Sequence, residues 1–348
     1  MENKINILLT GAGSPGGPGI IKAILKDSSN FKLYICDADI NASGKYLLKE
    51  RFRLIPKASD PKFIDTLLNI CKKDNINLVV PLVTLELLKL SEAFFLFKKN
   101  NIQLLVSSHE SLTTLNDKGS LYSHLNNKNV EIPKFQLVNN KQEFINGIYK
   151  LGYPKLPVVM KPRLSNGSRG VRVISEDYDE YDFLFNKKPS SLFTKLENIL
   201  PIIENRTFPP LLLTEYLPGE ELTVDCILKE NILKKIIIRK RDQMRAGIST
   251  KGKFIQDQDI YDYTSQILST FNGLDGPIGF QFKRSYNNNF LLLESNPRLQ
   301  GSTVTAEGIG LNIPLIVIKN KLDMQVNIKQ TFKSIGFSRY YENIFYEY

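Results

Sequence analysis

The sequence predicts a mixed α/β chain, with a doubly wound parallel-sheet domain at its N-terminus followed by an α+β region with antiparallel sheets. Two observations carry this. Through residues 1–112, short apolar runs alternate with stretches of helical spacing, the order that parallel strands and crossover helices require. After Asp117 the order changes, and runs that alternate apolar with polar residues follow one another across short turns, as antiparallel strands do.

Residues 5–10 make a strand that ends in "GAGSPGGPG", with a helix from about Ile20. "FKLYICDAD" (31–39) is the second strand, and "DPKFIDTLLNICKKDN" (60–75) has helical spacing. "INLVVPL" (76–82) reads as a buried strand, "TLELLKLSEAFFLFKKN" (84–100) as a helix and "IQLLVS" (102–107) as a strand. Beyond Asp117, "FQLV" (135–138), "LPVVMKP" (156–162) and "GVRVIS" (170–175) are strands around a Gly/Ser/Arg loop. A charged stretch at 176–206 has helical spacing only in parts. "PLLLTEYL" (210–217), "ELTVDCIL" (221–228) and "LKKIIIRKR" (233–241) alternate as antiparallel strands, and "DQDIYDYTSQILSTFN" (257–272) reads as a helix. The tail after about Lys321 carries no usable pattern.

At 348 residues the chain has room for two or three domains with real cores. A hydrophobic fraction of 42% and a charged fraction of 24% are ordinary for a soluble protein. No apolar run reaches the ~20 residues a membrane span needs, and the N-terminus shows no signal-peptide pattern. Cys36, Cys71 and Cys226 are isolated in apolar runs, which predicts buried thiols in a reducing cytoplasm. The net charge of +10 raises nucleic acid as a partner. The lysines are scattered, however, and no basic module carries stacking aromatics, so neither a nucleic acid nor a membrane is expected as a partner. The one cluster is "KKIIIRKRDQMR" (234–245), where on a strand Arg239 and Arg241 share a face and Lys240 points away.

"GFQFKRSYNNNFLLLESNPRLQG" (279–301) reads as a hairpin. With Asn287–Asn288 as the turn centre, Gln281 lies opposite Glu294, and Asn296 falls on the same face as Glu294. Phe280, Phe282, Leu291 and Leu293 then pack inward. A carboxylate with two amide oxygens is hard, oxygen-only ligation, suited to Mg²⁺ held jointly with phosphate oxygens. The competing reading is a solvated hairpin rim, and spacing alone does not choose between them.

"LLLESNPRLQGS" resembles the E-x-N-P-R signature of ATP-grasp enzymes, particularly the branch similar to the carbamoyl-phosphate synthase large subunit. The resemblance runs from "LLTGAGSPGG" to about Pro314 through five motifs in the same order. It implies a pre-ATP-grasp Rossmann-like domain over 1–112 and an ATP-grasp domain over 113–324. The latter divides into a small lid of about 135–216 and a catalytic part of about 217–324, with a tail at 325–348. In "NDKGSLYSHLNNKNVEIPKF", Lys118 matches a basic residue the family uses on nucleotide phosphates. In "VVMKPRLSNGSRGVRVI", Lys161 matches a lysine that meets phosphate and the adenine edge. The loop with Ser168, Arg169 and Gly170 folds over the triphosphate in the family, though Asn166, Ser168 and Arg169 stand where relatives have more glycine. In "LLTEYLPGEELTVD", Glu215, Tyr216 and Leu217 match the adenine-facing linker and Glu221 the ribose acceptor, while Asp225 matches a phosphate-facing position. Without the resemblance, Pro218–Gly219 would be a plain β-turn with solvated acids. Arg239, Arg241 and Arg245 resemble the arginine-rich turn that faces triphosphate and acyl phosphate. Gln281, Glu294 and Asn296 match the family's Mg²⁺ (or Mn²⁺) ligands, and Arg298 an arginine facing substrate or phosphate.

The resemblance implies an ATP-dependent ligase in which ATP is co-substrate, a small carboxylate is phosphorylated to an acyl phosphate, and an amine displaces phosphate. Such chemistry needs alignment and charge neutralisation rather than a protein nucleophile, and neither His109 nor His124 needs a role. Dimers are common in the superfamily, so a homodimer is compatible with it. Carboxyphosphate chemistry as in carbamoyl-phosphate synthesis is an alternative, as is a non-catalytic ATP-binding module. A third starts from Gly11, Gly13 and Gly16 with Asp37 and Asp39, which satisfy a dinucleotide-binding pattern for an oxidoreductase or epimerase. Against it, Pro15 and Pro18 remove two N–H donors from that turn.

Overall fold

The structure, a computed structural model, describes residues 4–165, 167, 169–186, 192–204, 206–245, 247–326, 328 and 334–346. Along the first part run β1 (Ile5–Leu9), α1 (Gly17–Leu25), β2 (Phe31–Asp37), β3 (Phe52–Leu54), α2 (Phe63–Lys73), β4 (Leu78–Val80), α3 (Thr84–Glu92), α4 (Phe94–Lys99), β5 (Gln103–Leu104) and α5 (His109–Asn116). The strands form a sheet in the order β3-β2-β1-β4-β5, and every neighbouring pair is parallel. Side chains of β1 alternate between two cores: Ile7 and Leu9 pack with Ile20 and Ile24, and Leu8 packs with Phe63, Leu67 and Phe97. Covering both faces is what permits a parallel sheet of nearly continuous apolar strands.

Next come α6 (Lys118–Asn127), β6 (Phe135–Val138), α7 (Lys141–Lys150), β7 (Val158–Pro162), β8 (Arg172–Ile174), α8 (Glu180–Phe185), β9 (Phe193–Thr194), α9 (Leu196–Ile203) and β10 (Leu211–Glu215). Their sheet runs β6-β10-β7-β8-β9, with β10 antiparallel to both β6 and β7. The last part holds β11 (Glu221–Lys229), β12 (Ile232–Arg245), β13 (Ile248–Ile255), α10 (Gln258–Ser269), β14 (Gly276–Arg284), β15 (Phe290–Asn296), α11 (Ile313–Lys321) and β16 (Gly336–Ser338). These strands follow the order β15-β14-β11-β12-β13-β16, and β13 is antiparallel to β12 and β16.

The chain divides into two compact units. One comprises 1–116, 222–281 and 295–348; the other comprises 117–221 and 282–294. One of the two cores around β1 joins the separate stretches of the first unit: Ile7, Leu9 and Leu78 share it with Ile227, Ile237, Phe254, Leu299, Ile313 and Val317. The glycine-rich turn after β1 belongs to this packing. A Cβ on Gly16 would lie 2.6 Å from Cα of Gly301, so backbone meets backbone there and no side chain fits.

Three expectations need correction. The run at 84–100 breaks at Ala93 into α3 and α4, a break nothing in the sequence marks. Helix α1 begins at Gly17 rather than near Ile20, because Pro18 suits the first helical turn. The hairpin turn is centred on Asn287 rather than between Asn287 and Asn288. Asn288 N–H donates to Ser285 O at 3.1 Å and Ser285 N–H to Asn289 O at 2.7 Å. This three-residue loop places Asn288 in the left-handed region at φ 67°, which asparagine tolerates. Phe282 and Leu292 are fully buried, whereas Leu293 is only half-buried.

Candidate nucleotide and substrate sites

In the second unit the sequence places two lysines where water barely reaches. Lys118 opens α6 directly after its cap Asp117, whose carboxylate accepts from Gly119 N and Ser120 N. Lys161 lies on β7 opposite Leu212 of the central strand β10. They are only 8% and 5% exposed. Lys118 Nζ donates to Ser165 O at 2.7 Å and sits 3.4 Å from Glu294 Oε2. Lys161 Nζ donates to Leu293 O at 3.3 Å and lies 5.4 Å from the ring centre of Tyr122. Burial pushes the Lys161 ammonium down to about 8, and the charge on Lys118 adds to this against the pull of Glu294 and Glu221.

Supporting contacts fix this arrangement. Tyr122 OH donates to Leu292 O at 2.6 Å, pinning α6 to β15. Arg163 clamps Asp117 through Nε at 3.0 Å and Nη2 at 2.8 Å. Burial tends to raise the Asp117 pKa, but the hydrogen bonds from Arg163 and the helix N–H groups outweigh it and hold it low. Gly170 has φ 74°, and a Cβ there would meet Pro162 Cγ at 2.6 Å, so the loop after β7 needs glycine at this point. Arg169 beside it is exposed; Ser168 lies outside the described residues.

The linker residues belong to the same unit as these lysines. Glu215 ends β10, and its Oε1 accepts from Lys134 N at 2.7 Å. Leu217 is buried, Tyr216 is half-buried, and Lys283 Nζ lies 5.2 Å from the Tyr216 ring centre. Burial lowers the Lys283 pKa, with Glu221 opposing. Sequence reasoning named neither Lys283 nor Tyr122 nor Arg163. Lys283 could have been found from the two-residue strand period, which puts it on the face of Gln281.

The arginines and the remaining oxygen donors stand in the first unit. Arg239 is 1% exposed and forms an ion pair with Asp225. Its Nη1 also donates to Ser302 O at 2.6 Å and to Thr305 Oγ1 at 3.3 Å. Asp225 Oδ1 accepts from Gln300 Nε2 at 2.9 Å and from Thr303 Oγ1 at 3.0 Å. This is a closed, buried network of the kind that holds a loop in one conformation. Arg241 donates to Gly247 O, and Arg245 lies 5.0 Å from the Tyr341 ring centre. Arg298 Nε donates to Thr84 Oγ1 at 2.9 Å, and its Nη2 to Asn296 Oδ1 at 3.3 Å. Gln281 is half-buried and Asn296 nearly buried. The dinucleotide pattern finds its groups already engaged. Gly13 N–H, which would face a pyrophosphate, donates to Asp37 Oδ2 at 2.7 Å, and Asp37 Oδ1 accepts from Asp39 N at 2.9 Å.

Among the described residues no three His, Cys, Asp or Glu side chains group to hold a metal. Gln281 and Asn296 offer amide oxygens in the first unit and Glu294 a carboxylate in the second; a carboxylate with amide oxygens is a hard donor set of the kind that suits Mg²⁺.

The family described as "ATP-grasp in the biosynthetic pathway with Ter operon" matches residues 207–340, and "PylC-like, N-terminal domain" matches 7–105. The carbamoyl phosphate synthase large chain of Clostridium acetobutylicum is 24% identical over 286 residues, covering 79% of this chain and 24% of the relative. The chain thus spans about a quarter of that relative's length. The structure of N5-carboxyaminoimidazole synthetase from Staphylococcus aureus complexed with ADP superposes with a TM-score of 0.68 at 16% identity, over 94% of this chain and 80% of the other. The L-amino acid ligase of Bacillus licheniformis gives 0.64 at 13%, over 92% and 75%. Residues 207–340 match an ATP-grasp family, and the motif order, the sheets and the relatives agree in resembling the ATP-grasp branch that includes the large chain of carbamoyl phosphate synthase.

Proposed function

We propose that the protein phosphorylates a carboxylate substrate with Mg-ATP and joins the resulting acyl phosphate to an amine. The observation that carries this is the pair of buried ammonium groups, Lys118 and Lys161, with Glu294 beside Lys118. Two cations held in a poorly solvated place, one already losing proton affinity, are stabilised by a polyanion such as a triphosphate. In this reading Lys118, Lys161, Ser168, Arg169 and Gly170 hold phosphates, Glu215 to Leu217 face adenine, and Glu221 accepts from ribose. Gln281, Glu294 and Asn296 would hold Mg²⁺ (or Mn²⁺), which supplies charge neutralisation on the phosphates. Arg239, Arg241, Arg245 and Arg298 serve the transferred phosphoryl and the acid. Because both Nη groups of Arg239 are engaged, by Asp225 and by Ser302 and Thr305, its part is to fix the strand that carries Arg241 and Arg245.

A carboxylate oxygen attacks the γ-phosphorus, the bond to the β,γ-bridging oxygen breaks, and ADP leaves. The amine then attacks the acyl carbon, phosphate departs with the C–O pair, and the nitrogen loses a proton. No side chain forms a bond to substrate, and the lysines and arginines act by charge and alignment. The similarity to carbamoyl phosphate synthase favours one second reading, the same first step with bicarbonate as the acid. The test is ADP release from Mg-ATP with pooled amino and sugar acids and hydroxylamine as the amine, with a bicarbonate-only arm. Acid-dependent ADP with a hydroxamate supports the ligase, bicarbonate-dependent ADP alone supports the second reading, and AMP release overturns both.

A further inference from the structure

The segment after β16 is built into the first unit rather than trailing from it. Arg339 N–H donates to Thr250 O at 2.8 Å, continuing the β13–β16 ladder. Glu342 pairs with Lys22 of α1 at 2.9 Å, the Tyr341 ring lies against Arg245, and Tyr346 stacks on Tyr46 at 4.4 Å. This strap therefore ties the edge of the sheet to α1 and to the glycine-rich turn.

The strap carries a guanidinium to that turn. Arg239 stands opposite Phe254, and the Phe254 ring packs on Phe337, 6.0 Å away between centres. Arg339, two residues beyond Phe337, falls on the same face of the sheet. Its Nη2 donates to Pro15 O at 3.4 Å. Among the described residues no carboxylate lies within ion-pair distance of it, and Pro15 O is the one acceptor its side chain meets. Burial lowers its pKa, Tyr341 opposes this, and the charge on Arg239 adds to it. A partly buried guanidinium with most of its fork open matches the geometry of a carboxylate or phosphate.

We propose that Arg339 anchors an acidic group of the acid substrate other than the carboxylate that is activated, so that the enzyme takes acids bearing a second anionic group. This rests on the ligase reading for its context. A carboxylate gripped by a guanidinium fork has both oxygens engaged, whereas the one to be phosphorylated must present an oxygen to the γ-phosphate. The strap lashings hold Arg339 in place beforehand, which lowers the ordering cost of binding.

The decisive experiment uses the full chain without nucleotide, titrated calorimetrically with malonate, and with inorganic phosphate to tell a carboxylate site from a phosphate site. Wild-type protein should bind at least one of them, Arg339→Gln should weaken it about ten- to a hundredfold, and Arg339→Lys should retain part of it. Tyr340→Ser, an exposed neighbour, should bind as wild type. Binding of neither probe by wild type, or equal binding by Arg339→Gln, overturns the proposal. In turnover, Arg339→Gln should raise KM for the acid with kcat and KM for ATP little changed. Efficient use of an acid with a single anionic group would also overturn it. Failure of every acid to be turned over would count against the ligase reading, and the titration would still decide the role of Arg339.

Discussion

Replacing Lys161 by methionine separates what this side chain costs the fold from what it gives the site. Methionine keeps most of the apolar stem and discards the charge. The fall from the ordinary 10.5 to about 8 corresponds to about 3 kcal/mol against the charged form. Because the folded-state value is the lower one, this penalty is present in full below about pH 8, shrinks as pH rises towards 10.5, and vanishes above it. The variant leaves Leu293 O without its donor, which takes back about 1 kcal/mol. The nucleotide-free Lys161→Met protein should therefore be more stable than wild type at pH 7 by about 2 kcal/mol, with the gap closing at high pH. Urea unfolding across that pH range, followed by a probe in the second unit, reads this directly. In the same assay Mg-ATP should stabilise wild type and leave the variant unmoved. A variant less stable than wild type at pH 7 would refute the desolvation argument, and a variant still stabilised by Mg-ATP would refute the assignment of Lys161 to the phosphates.

Glu294→Ala should lower Mg²⁺-dependent turnover by roughly a thousandfold, as loss of a metal ligand worth several kcal/mol does, measured as ADP release; retained turnover would remove Glu294 from the metal site. Glu86, buried against Thr10 Oγ1, has its carboxyl pushed by burial to about 7. Its folded-state pKa is raised, so the stability it contributes is whole below about 4.5 and falls as pH rises through 7. Glu86→Gln should remove that decline, giving about 3 kcal/mol relative to wild type at pH 9 in denaturant titrations; parallel pH profiles would contradict it. Arg239→Met strands Asp225 in the core and should cost about 3–5 kcal/mol, whereas the double change Arg239→Met with Asp225→Leu should recover much of it. Equal losses in single and double variants would show that the pair is not what holds this network.

How much of this could be read from residues alone varied with how local each cause is. Strands β1, β2, β4 and β10 are apolar runs with turn residues at their ends, and their pattern is their own. The signature around Glu294 was legible because Asn-Pro-Arg follows it in fixed spacing. Strand β13 was missed since "ISTKGKFI" is polar, and it pairs because β12 offers a long partner. Strand β16 is three residues that exist only as an edge added to β13, so no property of "GFS" announces it. Tyr122 and Arg163 serve the lysines through contacts to Leu292 O and Asp117, distances no spacing rule gives. The turn centres on Asn287 rather than between Asn287 and Asn288, because three successive asparagines offer equal left-handed positions.

The shared core of the first unit has a consequence for the order in which a ribosome delivers the chain. Ile7, Leu9 and Ile20 are made early, yet partners such as Leu299, Ile313 and Val317 emerge some three hundred residues later. Until then the face of the sheet with Ile7 and Leu9 carries α1 but lacks these later partners, while most of the second unit, 117–221, has already been made. The shared core thus joins residues made some three hundred positions apart, and in the interval between them part of that apolar surface stays exposed.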